Sequence, residues 1–241
     1  MNGDEFRHDP DDARQSRAQA LALARRFAAA LTLVAIAIAV WALFRPQPYG
    51  ALMALLIALP LLAVTAVVAR PDLFRIGLGS FHEANLGSAC AAPACALFAR
   101  TLFDLNLVSW LPLTAFAAAI AIVFLIAAVR REAHLRRRWW RLFAAALLTG
   151  AYAFGALGQA NVLLDRAPQA VLRSRIIGKH LGHSRIASHH LTLAPWGPLT
   201  APHDATVSRD IYDAAEIDDP ACIRLHDGAL GMAWFTATAC R

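Results

Sequence analysis

Long apolar runs without charge dominate the first two thirds of the chain. Four such runs stand out: residues 27–44, 49–69, 105–129 and 142–164. A helix rises about 1.5 Å per residue, so about 20 apolar residues cross a hydrocarbon core of about 30 Å. Lipid offers backbone groups no hydrogen-bond partner, and each run is therefore predicted to be a membrane-spanning helix. The turn-forming link "RPQP" predicts that the first two helices form an antiparallel hairpin.

A fifth stretch, residues 85–103, is only moderately apolar and contains Pro93 and Arg100. It is compatible with a short re-entrant or kinked spanning helix. It is equally compatible with an interfacial amphipathic helix. That interfacial helix would have a lipid face and a polar face: Leu97, Phe98 and Thr101 against Arg100 and Asp104. Hydropathy alone leaves both alternatives open.

The link between the last two long runs is strongly basic. Residues 130–141, "RREAHLRRRWWR", carry one acid and six arginines: Arg130, Arg131, Arg136, Arg137, Arg138 and Arg141. Such loops stay in the cytoplasm and bind anionic headgroups, and Trp139 and Trp140 are typical of the aromatic belt beside them. The segment is therefore predicted to be an orientation and headgroup anchor. Its confinement between two spans, without a nucleic-acid-binding motif, argues against nucleic acid as a partner.

The distribution of arginine favours five segments over four. With four crossings, a cytoplasmic N-terminus would leave the loop at 130–141 outside, against the enrichment of Lys and Arg in cytoplasmic loops. A fifth segment at 85–103 puts both basic regions inside. The predicted architecture is a polar tail at residues 1–26 and a membrane α-helical bundle at 27–164, with four long spans and one short or re-entrant segment. In a bacterial inner membrane this orientation places residues 165–241 in the periplasm.

Composition supports the membrane class. The 241 residues are 58% hydrophobic and 17% charged, with 23 Lys+Arg against 17 Asp+Glu, and mean hydropathy is positive at +0.47. A cleaved signal peptide is the alternative for residues 27–44. However, this run exceeds the usual apolar core of a signal peptide and ends in "WALFRP" without a small-x-small cleavage site.

Residues 165–241 have a different hydrophobic pattern, with short apolar runs separated by turn residues. The strand-length runs are 170–179, 186–194, 205–208, 221–226 and 230–235. Turn chemistry such as "APWGP" and the "DG" pair at 227–228 separates them. Five short antiparallel strands predict a small all-β domain that closes as a barrel or a tight sandwich. Its predicted core residues are apolar: Ile176, Leu191, Leu193, Val207, Ile223, Leu225 and Trp234.

The tail contains "GKHLGHSRIASHHLTLAPWGP", then Tyr212 and then "CIRLHDGALGMAWF". In this pattern it resembles the small C-terminal β domains of uncharacterised multi-pass bacterial membrane proteins. Where those domains have Gly-Asp before an apolar strand, this chain has Asp218-Asp219-Pro220, which keeps the turn without the glycine. The resemblance implies that the N-terminal part of the chain is a helical membrane domain, and it implies no particular activity.

Catalytic, cofactor and metal sites are not predicted. Six of the nine histidines lie in the tail, and His180-x-x-His183 is a spacing that a metal can use. However, His189 and His190 are adjacent on a strand and so face opposite ways, and no Cys or carboxylate is an evident third ligand. No nucleophile elbow, Walker loop or dinucleotide fingerprint occurs. The protein is therefore predicted not to be an enzyme.

Two functions remain, and both have the lipid bilayer as a partner. The first is a non-enzymatic scaffold or interaction module that contacts a protein partner through residues 165–241. The alternative is a small transporter or transporter-associated subunit, although few polar groups lie in the spans. Three glycines in the run 142–164 indicate close helix packing or self-association: Gly150, Gly155 and Gly158.

The four cysteines fall into two pairs. A periplasmic tail would give Cys222 and Cys240 the opportunity to form a disulfide. Cys90 and Cys95, in or beside the membrane, are expected to be free thiols with a packing role.

Overall fold

The computed structural model describes residues 10–77, 84–131, 139–182 and 188–240. Within these ranges, five long helices precede a five-stranded antiparallel sheet. The helices are α1 (Pro10–Phe44), α2 (Tyr49–Ala69), α3 (Gly87–Asp104), α4 (Leu111–Arg131) and α5 (Trp139–Leu163). Two short parallel strands lie between α2 and α3: β1 (Phe74–Arg75) and β2 (Ala84–Asn85).

Three helices in the described ranges are long and apolar enough to cross a membrane: Arg17–Phe44 within α1, Tyr49–Ala69 and Trp139–Leu163. The described apolar part of α4, Leu111–Ala127, is shorter, so the structure shows three of the four predicted long spans. The predicted run began at Leu105, but residues 105–110 form a non-helical linker that pairs with the β domain. Val108 N–H donates to Ala233 O over 3.0 Å. The β domain thus takes the first residues of the apolar run.

The moderately apolar stretch at 85–103 forms α3, which packs against α1, α2 and α5. Leu97 and Thr101 are fully buried, and Arg100 is only 8% exposed. The interfacial alternative, which turned Leu97 and Thr101 to lipid and Arg100 outward, therefore disagrees with the structure at these three residues, whereas Phe98 is exposed as that alternative expected. A central helix surrounded by other helices needs no continuous apolar surface, because its polar groups find partners within the protein.

The three glycines of α5 all face other helices of the same chain. A Cβ atom added at Gly155 would lie 2.5 Å from Leu97 Cβ of α3, and one added at Gly158 would lie 2.6 Å from Thr101 Cγ2. At Gly150 the nearest atom is Ala121 Cβ of α4, at 3.5 Å. These glycines therefore allow close packing within the bundle. Self-association through 142–164 stays a prediction, and its contacts would have to come from other residues of α5.

The packing pairs show which helix ends lie together. Gly158 approaches Leu113 and Gly150 approaches Ala121, so α4 and α5 are antiparallel. Tyr49, at the start of α2, donates to Gln159 near the end of α5. One end of the bundle therefore holds the start of α2, the ends of α3 and α5 and the β domain. The link between α4 and α5 lies at the opposite end.

The β domain is a curled sheet with the strand order β5-β4-β3-β6-β7. Its elements are β3 (Ala170–Leu181), β4 (His189–Leu193), β5 (His203–Val207), α6 (Arg209–Ala214), β6 (Pro220–His226) and β7 (Trp234–Ala239). The long strand β3 pairs with β6 through its first half and with β4 through its second, with a shift between Ile176 and Gly178. The outer strands β5 and β7 approach each other. The prediction of a small antiparallel, barrel-like β domain is confirmed.

The core of the β domain differs from the prediction at its last strand. Ile176, Leu191, Leu193 and Ile223 are buried as predicted, and Val207 and Leu225 pack partly buried against them. The fully buried aromatic residue is Phe235, whereas Trp234 packs half-buried against a cluster that includes Phe154 of the bundle. Successive strand residues face opposite ways, so Trp234 belongs to the junction rather than to the core. The predicted strand at 230–235 is correspondingly displaced to 234–239.

The close approach of α3 and α5 can be tested with two matched glycine substitutions. Alanine favours a helix by about 1 kcal/mol relative to glycine, so Gly150→Ala, with ordinary contact distances, should be neutral or stabilising. Gly155→Ala forces the α3 backbone away and should destabilise the bundle by about 1 to 3 kcal/mol. The apparent melting temperatures of both variants in detergent measure this. Equal stability of the two variants would contradict the packing described.

Candidate functional site

Several hydrogen bonds between residues far apart in sequence meet at the junction between the bundle and the β domain. We define the junction as the linker 105–110, the end of α5 with its extension at 161–165, and the segment 226–234. Its polar side chains come from the bundle side and bind backbone groups of the β domain. They fix how the β domain sits on the helices.

Asn161 is the centre of the junction and is fully buried. Its side-chain amide donates to Met232 O over 2.7 Å, and its side-chain oxygen accepts from Leu230 N–H over 2.9 Å. Its backbone carbonyl accepts from Ala229 N–H over 3.0 Å. Gly228 has a φ of 78°, and a Cβ atom there would lie 2.5 Å from the Asn161 Oδ1 atom. The side chain and backbone carbonyl of Asn161 thus hold the loop between β6 and β7, and only glycine fits beside the Asn161 side chain.

Asp165, four residues further on, is a second anchor with only 3% of its side chain exposed. Its Oδ2 atom accepts from the indole N–H of Trp234 over 2.8 Å and from Gly228 N–H over 3.1 Å, and Oδ1 accepts from Ala167 N–H over 2.9 Å. The Ala167 N–H and the Trp234 indole N–H are the main causes that lower the pKa of Asp165. The His226 ring stacks on Trp234 at 4.0 Å between centroids. Asp165 therefore carries a negative charge that orients Trp234.

The linker closes the gap between the two outer strands. The Asn106 side chain donates to Thr206 O over 2.9 Å and accepts from Thr206 N–H over 2.7 Å, which binds β5. The Asn106 carbonyl accepts from Phe235 N–H over 2.9 Å, and Leu107 forms a β-bridge with Trp234. Both sheet edges are therefore paired at this point, which protects them from pairing with another strand.

A cavity of about 170 Å³ lies where the linker meets strands β3, β4 and β5, and we call it the histidine pocket. Its bundle side is apolar: Leu102, Leu105, Leu107 and Trp110. Its β-domain side is polar and is lined by His180, His190, His203, Asp204 and Thr206. Asn106 of the linker also lines the pocket. Two different surfaces therefore meet in one small space.

The polar side of the histidine pocket is internally bonded. The rings of His180 and His190 stack at 5.1 Å between centroids, and His190 Nε2 lies 2.8 Å from Ser188 Oγ. Burial, followed by the neighbouring His180 ring, lowers the pKa of His190, so His190 is neutral at neutral pH. Asp204 Oδ2 lies 3.7 Å from His180 Nε2.

The geometry of the histidines bears on metal binding. His190 faces His180, whereas His189 packs against Tyr212 at 5.0 Å, so the two adjacent residues face opposite ways as predicted. In the described ranges, no group of three or more His, Cys, Asp or Glu residues is placed to hold a metal ion. His183, the second residue of the His180-x-x-His183 spacing, lies outside those ranges.

A polar network also lies inside the same end of the bundle. Tyr49 donates to Gln159 Oε1 over 3.0 Å, and Gln159 donates to Thr101 Oγ1 over 3.3 Å. Arg100 Nε lies 2.9 Å from Asp104 Oδ2 in an ion pair one turn apart on α3. The sequence pattern did not indicate that this pair is interior, although its i, i+4 spacing of opposite charges was a signal that the two residues could be satisfied by each other.

The predicted headgroup anchor lies far from the junction. Arg130 and Arg131 end α4, and Trp139 and Trp140 begin α5 with both side chains exposed. The Arg141 guanidinium lies over the Trp140 ring, 5.2 Å from its centroid. Three further predicted anchor residues fall outside the described ranges: Arg136, Arg137 and Arg138.

The structure joins Cys222 of β6 and Cys240 in a disulfide. It lies at the end of the β6–β7 pair remote from the loop that Asn161 holds, because Cys222 pairs with Thr238 in the strand register. Cys90 and Cys95 are free thiols on α3.

The role of Asn161 can be tested against a second asparagine with the same chemistry. Asn161→Ala leaves Leu230 N–H and Met232 O unpaired in a buried site, at a cost of roughly 1 to 3 kcal/mol for each group. Hydrogen exchange of residues 228–235 should then accelerate strongly. Asn85 also binds backbone groups, of Gly77 and Gly87, but at the opposite end of the bundle. Asn85→Ala is the control and should leave exchange at 228–235 unchanged, whereas equal exchange in both variants would contradict the role of Asn161.

No family model, no curated protein and no solved structure matches this chain. The resemblance of the tail to β domains of uncharacterised multi-pass bacterial membrane proteins therefore stays a prediction. What the protein does has to be argued from the junction and from the surfaces that it positions.

Proposed function

We propose that this chain is an integral membrane scaffold or interaction module that holds its β domain in a fixed pose at the membrane surface for a protein partner. The observation that carries the proposal is the set of hydrogen bonds, buried at Asn161 and partly buried at Asp165 and Asn106, that joins the bundle side to the β domain. Domains joined by one flexible connection move freely relative to each other. Here two separate connections, the linker and the end of α5, bind the β domain at different strands.

The partner surface is the outer face of β3 and β6, because the sheet edges are paired at the linker. This face combines exposed apolar and basic residues: Val171, Arg173, Arg175, Ile177 and Arg224. Val171 is 62% exposed and Ile177 is 43% exposed. Arginine beside apolar side chains is common at protein interfaces. A partner with acidic and apolar groups fits this face.

We further propose that the β domain lies in the periplasm and that the bundle sits in a bacterial inner membrane. The basic link between α4 and α5 is at the end of the bundle opposite to the β domain, and cytoplasmic loops are rich in arginine. The disulfide between Cys222 and Cys240 supports an oxidising compartment for the β domain.

A transport role is the second candidate, and the polar network inside the bundle is the observation that favours it. An ion pair such as Arg100–Asp104 within a membrane bundle is costly and often functional. The network lies at one end of the bundle, where the Tyr49 hydroxyl donates a hydrogen bond to the Gln159 side-chain oxygen. Gln159→Leu separates the two functions, because a scaffold should retain its partner and a transporter should lose activity. Asn161→Leu would not separate them, since it breaks the junction in both cases.

The orientation can be tested with reporters fused after Arg241. Alkaline phosphatase, which is active only in the periplasm, should be active, and a fluorescent protein that folds only in the cytoplasm should be dark. The same two reporters fused within the link between α4 and α5 should give the reverse pattern. Fluorescence without phosphatase activity at the C-terminal position would overturn the periplasmic assignment.

The partner surface can be tested by photo-crosslinking in native membranes. A photoreactive residue at Val171 or Ile177 should capture one discrete protein, identified by mass spectrometry. The control position is Asp213, which is exposed on α6, a helix whose Ile211 and Tyr212 pack on the core side of the sheet. Arg173→Glu should reduce the yield at Val171 because it repels an acidic partner. The same products at Asp213 as at Val171, or no product at any position, would contradict the proposed surface.

A further inference from the structure

The histidine pocket lies where the bundle meets the β domain, which is the level of the bilayer surface if the helices span the membrane. Leu102, on the last turn of α3, is 43% exposed, and Trp110 immediately precedes α4. Tryptophan is enriched at this level because its ring is amphipathic. The apolar side of the pocket is therefore continuous with a surface that faces lipid, and this inference rests on the membrane insertion proposed above.

The polar side of the pocket selects a particular ligand chemistry. Of the lining residues in the described chain, Asp204 is the only acid, and its side chain is 52% exposed. Thr192 donates to Asp204 Oδ1 over 2.7 Å, which orients the carboxylate. An imidazole ring can donate a hydrogen bond through a ring N–H. A complementary ligand has a cationic N–H group for Asp204, an anionic oxygen for the imidazoles and an apolar extension toward Leu102.

We propose that the histidine pocket binds the phosphoethanolamine headgroup of a phospholipid. The ammonium group pairs with Asp204, the phosphate oxygens accept from His180 on the same face of the sheet, and the acyl chains leave along Leu102 and Trp110. A cavity of about 170 Å³ suits a headgroup and leaves no room for the chains, which stay in the bilayer.

Other common headgroups fit this pocket less well. Phosphatidylglycerol carries only negative charge, which Asp204 repels, and a neutral His190 supplies no compensating charge. Phosphocholine has no N–H to donate to Asp204, and quaternary ammonium groups prefer the open faces of aromatic rings. One face of Trp110 is already stacked on Phe154, with 5.9 Å between centroids. Selectivity for the primary amine therefore depends on Asp204.

The test is lipid competition on the purified full chain, followed by native mass spectrometry. Phosphatidylethanolamine and phosphatidylglycerol with identical acyl chains are offered at equal concentration. The wild-type protein should retain phosphatidylethanolamine several-fold more than phosphatidylglycerol, and Asp204→Asn should abolish this preference. Asp213→Asn, an exposed carboxylate on α6, is the matched control and should keep it. Apparent melting temperatures check that both variants are folded.

Three outcomes of the lipid competition would overturn the proposal. They are equal retention of the two lipids by the wild-type protein, preference for phosphatidylglycerol, and an unchanged preference in Asp204→Asn. Soluble phosphoethanolamine without acyl chains is offered in a separate arm and should be retained far less than the lipid. Equal retention would assign the pocket to a soluble ligand and overturn the lipid assignment. The measurement uses no partner protein, so a failure here is distinguishable from a failure of the crosslinking experiment.

Discussion

The hydrogen bonds of buried backbone groups at the end of α5 are the constraint on which the rest of the structure depends. A loop packed against a helix end buries N–H and C=O groups that must find partners. Asn161 supplies both a donor and an acceptor to this loop, and Asp165 supplies a charged acceptor. Their spacing fixes where the loop ends and β7 begins. The position of β7 in turn decides that Phe235 enters the core and that Trp234 faces the bundle.

The arrangement of the helices depends on a second constraint, which is the close packing of the other helices around α3. Close contact between apolar helices depends on small residues and on hydrogen bonds across the contact. Gly155 and Gly158 let α3 approach α5 closely, and Thr101 and Gln159 bond across the contact. A helix of only moderate hydropathy can therefore occupy the centre of the bundle, while the apolar spans Arg17–Phe44 of α1 and Tyr49–Ala69 of α2 expose large side chains such as Phe44 and Val68.

The sequence indicated the features that depend on local pattern. The bounds of α2 match the apolar run 49–69, and four of the five predicted strands overlap the observed ones closely because alternation and turn residues mark them. The features that it missed depend on partners far along the chain. Nothing in the sequence near residue 230 indicates that Asn161 will bind the backbone of residues 230 and 232, so that the last strand begins only at residue 234. Likewise, the apolar residues 105–110 continue a helical pattern, and only pairing with Ala233 and Thr206 removes them from the helix.

The linker is structurally part of the β domain although it lies between two helices of the bundle in sequence. Residues 105–110 lie within the helical part of the chain, yet Asn106 binds β5 and Leu107 pairs with β7. Without the linker the outer strands would present unpaired backbone groups, which are a common cause of aggregation. The same residues connect α3 to α4 and line the histidine pocket. Closure of the sheet, the arrangement of two helices and the shape of the pocket therefore rest on one segment, so the bundle and the β domain act as one structural unit.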